Sequence, residues 1–374
     1  MTDYVFMEPL DVLYLRGNRS FGAPGDHAAA LMPPWPSLAA GALRSRMLTD
    51  SGLHPSALKQ ERLPDAAWNA VLGTLSRPGS FRLSAFGLAR RNGHGAIEAL
   101  HPCPADLVVT SGKATYLRPE ASDLPSGGGL GTLAVLASEP REKPQMSWLT
   151  AVGWSAYLAG RPIAAAGLVD PKDLWKTDAR VGVGLDPDTR AARQGQLFST
   201  DTVALAGGVG LLAGVSGAGG KLPRTGLVRL GGDGRAARLS AASLPARNLA
   251  PLAAARQLRL VLTSPGLFLN GWRLPGLSSD GVWDYGGVRA RLVAAAVPRA
   301  AIVSGWDLAN WIPKPALRAV PAGAVYWFDD VTATAADLAQ IETAGVWDEP
   351  DHFSAARTRR AEGFNACVFA PWAA

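Results

Sequence analysis

The stretch Met32 to Leu48, MPPWPSLAAGALRSRML, limits the fold most, because three prolines followed by an alanine-rich run leave the backbone few conformations. Pro33, Pro34 and Pro36 hold the lead-in extended, and Ser37 is placed to cap a helix that begins at Leu38. At about 100° per residue, Ala39, Ala40, Leu43 and Met47 form an apolar arc, while Ser37, Gly41, Arg44 and Ser45 gather on the other side. Glycine in mid-helix costs about 1 kcal/mol relative to alanine, so Gly41 predicts close approach of a backbone or a ligand.

A chain of 374 residues with 48% hydrophobic and 18% charged residues is globular and long enough for two or three domains. The formal net charge is +6 and arginine greatly outnumbers lysine, a balance that favours bidentate contacts to phosphate or carboxylate. Cys103 and Cys367 are too few for a disulfide framework or a cysteine-rich zinc site, which points to a reducing cytoplasm. MTDYVFMEPLD at the N-terminus has acids where a secretory signal would be basic. Thr202 to Gly220 carries no charge, but its many glycines argue for strands around a turn rather than a membrane span.

Taken in order, Tyr4 to Leu15 is a first strand interrupted at Pro9, and Arg16 to Arg19 a basic turn. A glycine-containing loop, Phe21 to Ala30, leads to the helix. Residues 54 to 79 hold a helical patch around Trp68, Val71 and Leu72. Phe81 to Arg91 alternates as a half-buried strand ahead of an Asn92-Gly93 turn. Residues 119 to 131 form a loop, Ser147 to Leu158 is helical in pattern, and Arg180 to Phe198 is an arginine-rich arm around an Asp186-Pro187-Asp188 turn. Pro245 to Pro251 marks a linker. Beyond it, strands are expected over Leu258 to Leu269, Val288 to Val303, Ala324 to Phe328 and Phe364 to Phe369, with a helix over Ala335 to Thr343. The second part thus repeats the first in outline, a strand followed by helices over an antiparallel sheet, which is an α+β arrangement.

No constellation has the spacing of an enzyme site. The five histidines, His27, His54, His94, His101 and His352, are scattered without an HExxH or a His-Asp pair. Asp329-Asp330 reads as a solvated strand end. Gly208, Gly210 and Ala213 match a dinucleotide fingerprint, but no helix follows to receive a pyrophosphate, and the loop Gly127 to Gly131 lacks the lysine of a phosphate-binding loop. Basic clusters are more informative. Arg16 with Arg19, Arg44 with Arg46, Arg180 with Arg190 and Arg193, and Lys314 with Arg318 lie near Tyr14, Phe21, Trp35, Phe198 and Trp311, a combination that grips single-stranded nucleic acid.

The phrase EPLDVLYLRGNRSFGAPG (Glu8 to Gly25) followed by MPPWPSLAAGALRSRML resembles the N-terminal signature of the third subunit of the type III-B CRISPR effector, the Cmr complex. RVGVGLD from Arg180 with GQLF to Phe198, LTSPGLF from Leu262 with Gly271-Trp272, and RAVPAGAVYW from Arg318 continue the similarity in order over nearly the whole chain. The resemblance implies two ferredoxin-like (RRM-related) domains with antiparallel sheets, helices on one side and long insertions, over residues 1–246 and 247–374. It implies a cytoplasmic, non-catalytic subunit of the Cas-five-like group with neither cofactor nor metal. Such a subunit caps the 5′ repeat-derived tag of the CRISPR RNA and joins the large polymerase-like subunit to a backbone subunit, away from any membrane. The expected RNA contacts are Arg16, Arg19, Ser37, Gly41, Arg44, Ser45, Arg46, Arg180, Arg190, Arg193, Gln194, Lys314 and Arg318. Two alternatives stay open: a CRISPR RNA-processing endoribonuclease with His27 as general base, and a scaffold that touches no RNA. One departure stands out. Glu362-Gly363-Phe364-Asn365 replaces the second glycine of the superfamily's G-Φ-G loop by an asparagine, which tolerates left-handed backbone but puts close RNA contact in doubt.

Overall fold

The computed structural model describes residues 2–15, 27–28, 30–59, 63, 65–74, 77–123, 130–137, 142–307, 310–352 and 355–373. In chain order the N-terminal part forms β1 (Asp3–Pro9), α1 (Ser37–Asp50), α2 (Ala66–Leu72), β2 (Arg82–Arg91), β3 (Ile97–Pro102) and α3 (Ala151–Leu158). It continues with β4 (Trp175–Leu185), β5 (Ala192–Leu205), β6 (Val209–Ser216), β7 (Gly226–Arg229) and β8 (Ala236–Ala242). The C-terminal part forms β9 (Leu258–Leu262), β10 (Val282–Tyr285), β11 (Val288–Ala296), β12 (Val325–Thr332), α4 (Ala335–Ala344), α5 (Ala356–Ala361) and β13 (Cys367–Pro371).

Two antiparallel sheets organise these elements. The first runs β3-β2-β6-β1-β8-β7, extended beyond β3 by the short pairs Trp148–Leu149 and Leu168–Val169. The second runs β10-β11-β12-β9-β13. Within each, four strands recur in one order: the second strand beside the third, the third beside the first, and the first beside the last. In the first sheet these are β2, β6, β1 and β8, and in the second β11, β12, β9 and β13. The helices differ between the two. Between β1 and β2 lie α1 and α2, whereas β6 and β8 are linked through β7; in the second sheet α4 and α5 bridge β12 to β13, and β9 reaches β11 through irregular chain and β10.

Central strands read as unbroken apolar runs because both their faces are covered. Val5 and Met7 of β1 join Ala39, Leu43 and Met47 of α1 in the main N-terminal core, while Phe6 turns to a smaller cluster with Ala89 and Leu212. Gly210 in β6 makes room for the Phe6 ring, since a Cβ there would lie 2.7 Å from it. In the C-terminal part Leu258, Leu260 and Leu262 of β9 pack with Leu338 and Ile341 of α4, and Val261 faces the opposite way.

That opposite face is covered as well. Tyr157 of α3, with Leu107, Leu149 and Ile163, all supplied by the connection between β2 and β6, packs on Val261, Ala294, Val325 and Trp327 of the second sheet. At the centre sits Arg259, the second residue of β9 and 0% exposed, paired with Asp106, which is equally buried. Tyr157 Oη donates to Asp106 at 2.9 Å, and Arg259 donates to the carbonyls of Tyr157 and Pro371 at 3.1 and 2.9 Å. Its guanidinium lies over the Tyr157 ring, 4.5 Å from the centroid. A buried ion pair offsets its desolvation only when its remaining donors and acceptors are bonded, which is the case here.

A second contact between the two parts runs through the proline-rich lead-in. Trp35 packs on Leu267, Val303, Ala319, Trp347 and Phe364, Arg82 of β2 donates to the Ala344 carbonyl, and a Cβ on Gly363 would lie 2.9 Å from the Leu83 carbonyl oxygen.

Several expectations need correcting. The helix of Met32 to Leu48 begins at Ser37 and not Leu38, and its cap position is Pro36, so no side chain caps it. Its buried arc also takes in Ala42 and Leu48. Arg118–Ala121 is a strand paired with Thr132–Val135, inside the stretch expected to be a loop. Asp329 and Asp330 lie within β12 and not after its end. Thr202 to Val215 divides between β5 and β6, which belong to different sheets. Among the described residues no helix is long and apolar enough to cross a membrane.

Asp106→Ala leaves the Arg259 guanidinium buried without its partner, and we expect it to lower the unfolding free energy by about 3–5 kcal/mol in urea denaturation. Asp106→Leu combined with Arg259→Met removes both charges and should lose much less than the sum of the single changes.

Candidate nucleic-acid interface

β4 and β5 form a long hairpin in register from Trp175↔Leu205 to Val183↔Leu197, with a bulge before the last pair, Leu185↔Ala192. β5 also pairs in parallel with His27–Ala28 at Ser199 and Thr200, and beyond that point no further strand flanks the hairpin among the described residues; its apolar residues are exposed there: Val181, Val183, Leu185 and Leu197 line one face, with Val181 72% accessible. Gly182 and Gly184 occupy the other face of β4, where Gln196 of β5 lies against Gly184. Asp186 organises the tip. Its carboxylate accepts from the backbone of Asp188 and Thr189 at 3.1 and 3.0 Å. Those bonds hold its pKa below the ordinary carboxylate value. The other carboxylate oxygen is 3.3 Å from Arg193, and Arg180 pairs with Asp178 at 3.1 Å. Arg190 sits in left-handed backbone at φ +56° and has no carboxylate partner among the described residues. The structure therefore brings Arg190 and Arg193 to one hairpin tip and places Arg180 further down its stem. The Gln194 side chain, like Arg16 and Arg19, lies outside the described residues.

The α1 face is different from its expected form. Gly41 is exposed, and a Cβ there would meet nothing within 4 Å, so among the described residues it serves no close packing. Arg44 turns inward. Its Nη2 donates to the Leu72 carbonyl at 3.2 Å, its Nε is buried without a partner, and burial lowers its pKa against the opposing pull of Glu362. Arg46 is bonded to Asp50 at 2.7 Å and to the Leu227 carbonyl at 2.6 Å, which ties α1 to β7. Ser37 and Ser45 are half-buried beside it. Lys314 pairs with Glu362, which also holds Arg359 at 3.1 Å, whereas Arg318 is exposed. Of the thirteen expected contacts, those with open surface among the described residues are thus Gly41, Arg190, Arg193 and Arg318, with Ser37, Ser45 and Arg180 partly open.

The loop Gly363-Phe364-Asn365 turns as the asparagine substitution predicts, with φ +87° at Gly363 and +61° at Asn365. It is nonetheless buried. Asn365 Oδ1 accepts from Leu267 N at 2.7 Å, and its Nδ2 donates to the Val346 carbonyl at 2.8 Å. Asparagine here replaces a glycine's freedom and adds bonds that hold the loop inside.

The histidines are not equivalent. His101 stacks on Trp154 at 4.0 Å, and burial pulls its pKa down to about 3, so it is neutral at physiological pH. His352 Nδ1 is 3.1 Å from Asp348, a His-carboxylate pair that scanning for familiar spacings missed although the two are four residues apart. The His27 side chain lies outside the described residues. Gly208 and Gly210 with Ala213 form a turn and a strand, β6, and no nucleotide loop. Among the described residues no three His, Cys, Asp or Glu side chains gather as a metal site. One feature is not visible in the sequence: a cleft of about 520 Å³ at the foot of the hairpin, lined by Pro171, Lys172, Trp175, Lys176 and Thr177. Its two lysines stand four positions apart across a turn, which hides the cluster from any search for charge runs.

A family model described as CRISPR-associated protein (Cas_Cmr3) matches residues 5–372. The chain belongs to the Cmr3 family of CRISPR-associated proteins. The resemblance carried by Glu8 to Gly25 and the motifs downstream is borne out. A chain of the type III-B Cmr-beta complex bound to cognate target RNA and AMPPnP is similar over 98% of both chains, at 16% identity and a TM-score of 0.50, which shows a shared fold. A chain of Cmr-beta bound to cognate target RNA matches over 87% of this chain and 86% of that one, at 14% identity and a TM-score of 0.45. No curated protein sequence matches.

The open face at Gly41 is thus one that packing among the described residues does not require. Gly41→Ala should raise the stability of the isolated protein by about 0.5–1 kcal/mol, measured by urea unfolding, because alanine is the better helix former and no neighbour is displaced. Absence of any gain would contradict an open helix face.

Proposed function

We propose that this chain is the RNA-binding subunit of a type III-B CRISPR effector that caps the 5′ repeat-derived tag of the CRISPR RNA and bridges the large polymerase-like subunit to a backbone subunit. The observation that carries the reading is the Cmr3 family match across residues 5–372. It is supported by the β4–β5 hairpin, which combines an exposed apolar face with the arginines of its tip. Each part is read as a ferredoxin-like unit, over residues 1–246 and 247–374, because one strand order recurs in both sheets. The first keeps the helices after its opening strand and the second those before its closing strand, so each unit has one helical crossover replaced by strand or irregular chain.

The back of the second sheet is filled by α3, so RNA is not read on that surface as it is on an open four-stranded sheet. Contact falls instead to projecting parts: Arg190 and Arg193 for phosphates, Val181, Val183, Leu185 and Leu197 for bases, and the Gly41 face of α1 for RNA or a neighbouring subunit. Arg44, Arg46 and Lys314 act by holding α1 and the C-terminal loop in place. The role is binding and not catalysis. The endoribonuclease alternative keeps His27, whose side chain lies outside the described residues, and gains His352 beside Asp348 as a second candidate base.

Arg190→Glu with Arg193→Glu should weaken binding of tag-bearing CRISPR RNA by the effector and lower the dependence of log Kd on log salt by about 0.7 for each phosphate no longer neutralised. Fluorescence anisotropy at several salt concentrations checks this, and unchanged affinity and slope would remove the hairpin tip from the RNA path. Specific cleavage of repeat RNA by the protein alone in a chelator, abolished by His352→Ala, would favour the enzyme instead.

A further inference from the structure

The connection between β11 and β12 builds a second, smaller hairpin. Its stem pairs Ala301–Val303 with Leu317–Ala319, and its tip pairs Trp306–Asp307 with Ile312–Pro313. The stem is anchored firmly. Val303 and Ala319 lie in the cluster that receives Trp35, the Ser304 carbonyl accepts from both Nη atoms of Arg359 at 3.3 Å, and Lys314 is tied to Glu362. The tip shows two indoles to solvent, Trp306 at 48% and Trp311 at 71% exposure. Their ring centroids are 6.0 Å apart at 87°, so Trp306 braces Trp311 edge to face and leaves a broad π-face open.

Trp311 is also held in left-handed backbone, φ +59°, a conformation that bulky residues rarely adopt and that glycine or asparagine would occupy more easily. Local bonds enforce it: Trp311 N donates to the Asp307 carbonyl at 2.7 Å, and Asn310 uses both Asp307 carboxylate oxygens at 3.0 Å. The one carboxylate of the tip is thereby occupied by its own turn. Arg318, opposite Ile302 on the stem, and Arg299, just before it, are exposed and have no carboxylate partner among the described residues. A strained, exposed, braced tryptophan at the tip of a hairpin whose stem carries exposed cations is unfavourable for the isolated chain and suits an anionic partner with flat π-faces.

We propose that the Trp306–Trp311 pair is a stacking platform for an unpaired nucleobase of single-stranded RNA, with Arg299 and Arg318 of the stem on phosphates further along the same strand. The choice of RNA as ligand rests on the function proposed above. The position in the fold supports the pairing of roles: this hairpin leaves its sheet between the second and third strands of the recurrent order, as the β4–β5 hairpin does in the first sheet. The two hairpins would then grip one strand at two places.

The test uses the full chain and a labelled, uridine-rich single-stranded 20-mer RNA. Trp311→Gly removes the ring and suits the left-handed backbone, so the variant should melt no lower than the parent, yet bind RNA about tenfold more weakly with an unchanged salt slope. Trp311→Tyr should keep affinity within about threefold. Full affinity in both Trp311→Gly and Trp306→Ala would overturn the platform, and if Arg190→Glu still weakens binding, the RNA-binding function itself stands. Full RNA affinity with failure of Trp311→Gly to assemble with other effector subunits would overturn it too, making the face a protein contact. Absence of RNA binding by the parent would sink both proposals together.

Discussion

The buried pair of Arg259 and Asp106 determines what surface this protein has left to use. Arg259 is the second residue of a strand whose other residues are leucine and valine, and its charge is stable there only because Asp106, itself bonded by the Tyr157 hydroxyl, and two carbonyls accept from it. Those groups come from the connection between β2 and β6 and from the end of β13, so satisfying one cation requires that connection to lie across the back of the second sheet. Once it does, the sheet is covered on both faces. The two parts of the chain are clamped, and the proposed binding is left to whatever projects beyond the clamp.

Arginine consequently has two distinct uses here. Arg44, Arg82, Arg259 and Arg359 turn inward, donate to carbonyls or carboxylates, and join elements distant in sequence. Arg190, Arg299 and Arg318 remain on the outside. The net charge of +6 is the same sum whichever arginines are buried, so it signals an acidic partner in general terms and says nothing about where that partner lies. At the two hairpins exposed apolar or aromatic side chains accompany the charge, the combination on which the proposed RNA contacts rest.

How far this was legible in the sequence depended on the range of the interactions. Period and local chemistry marked α1, β2 with its Asn92-Gly93 turn, the hairpin around Asp186, and the helix of Ala335 to Ala344, whose Thr334 and Asp337 complete a capping box. The left-handed Asn365 was legible for the same reason, since backbone preference is a property of the residue itself. Long-range facts were not. LRLVL reads as an ordinary buried strand, and nothing near Arg259 announces a carboxylate more than a hundred residues earlier. Arg44 looked solvent-facing on a helical projection, because a projection cannot know that Leu72 offers a carbonyl to it. Ser37 looked like a cap, yet the proline-rich lead-in carries the helix one residue further back. The strained Trp311 was visible only as an aromatic beside lysine and arginine, and the conformation that gives it meaning is a tertiary property.

What matters most is whether a chain clamped shut at its sheets holds the tag end of a CRISPR RNA on its projecting parts. Sequencing the 5′ ends of RNA that stays ultraviolet-crosslinked to this chain in the natively purified effector tests it most directly. A single repeat-derived 5′ end, with crosslinked peptides from the β4–β5 hairpin, is the result expected. RNA of arbitrary ends, or none on this chain while other subunits of the same preparation carry it, would contradict it.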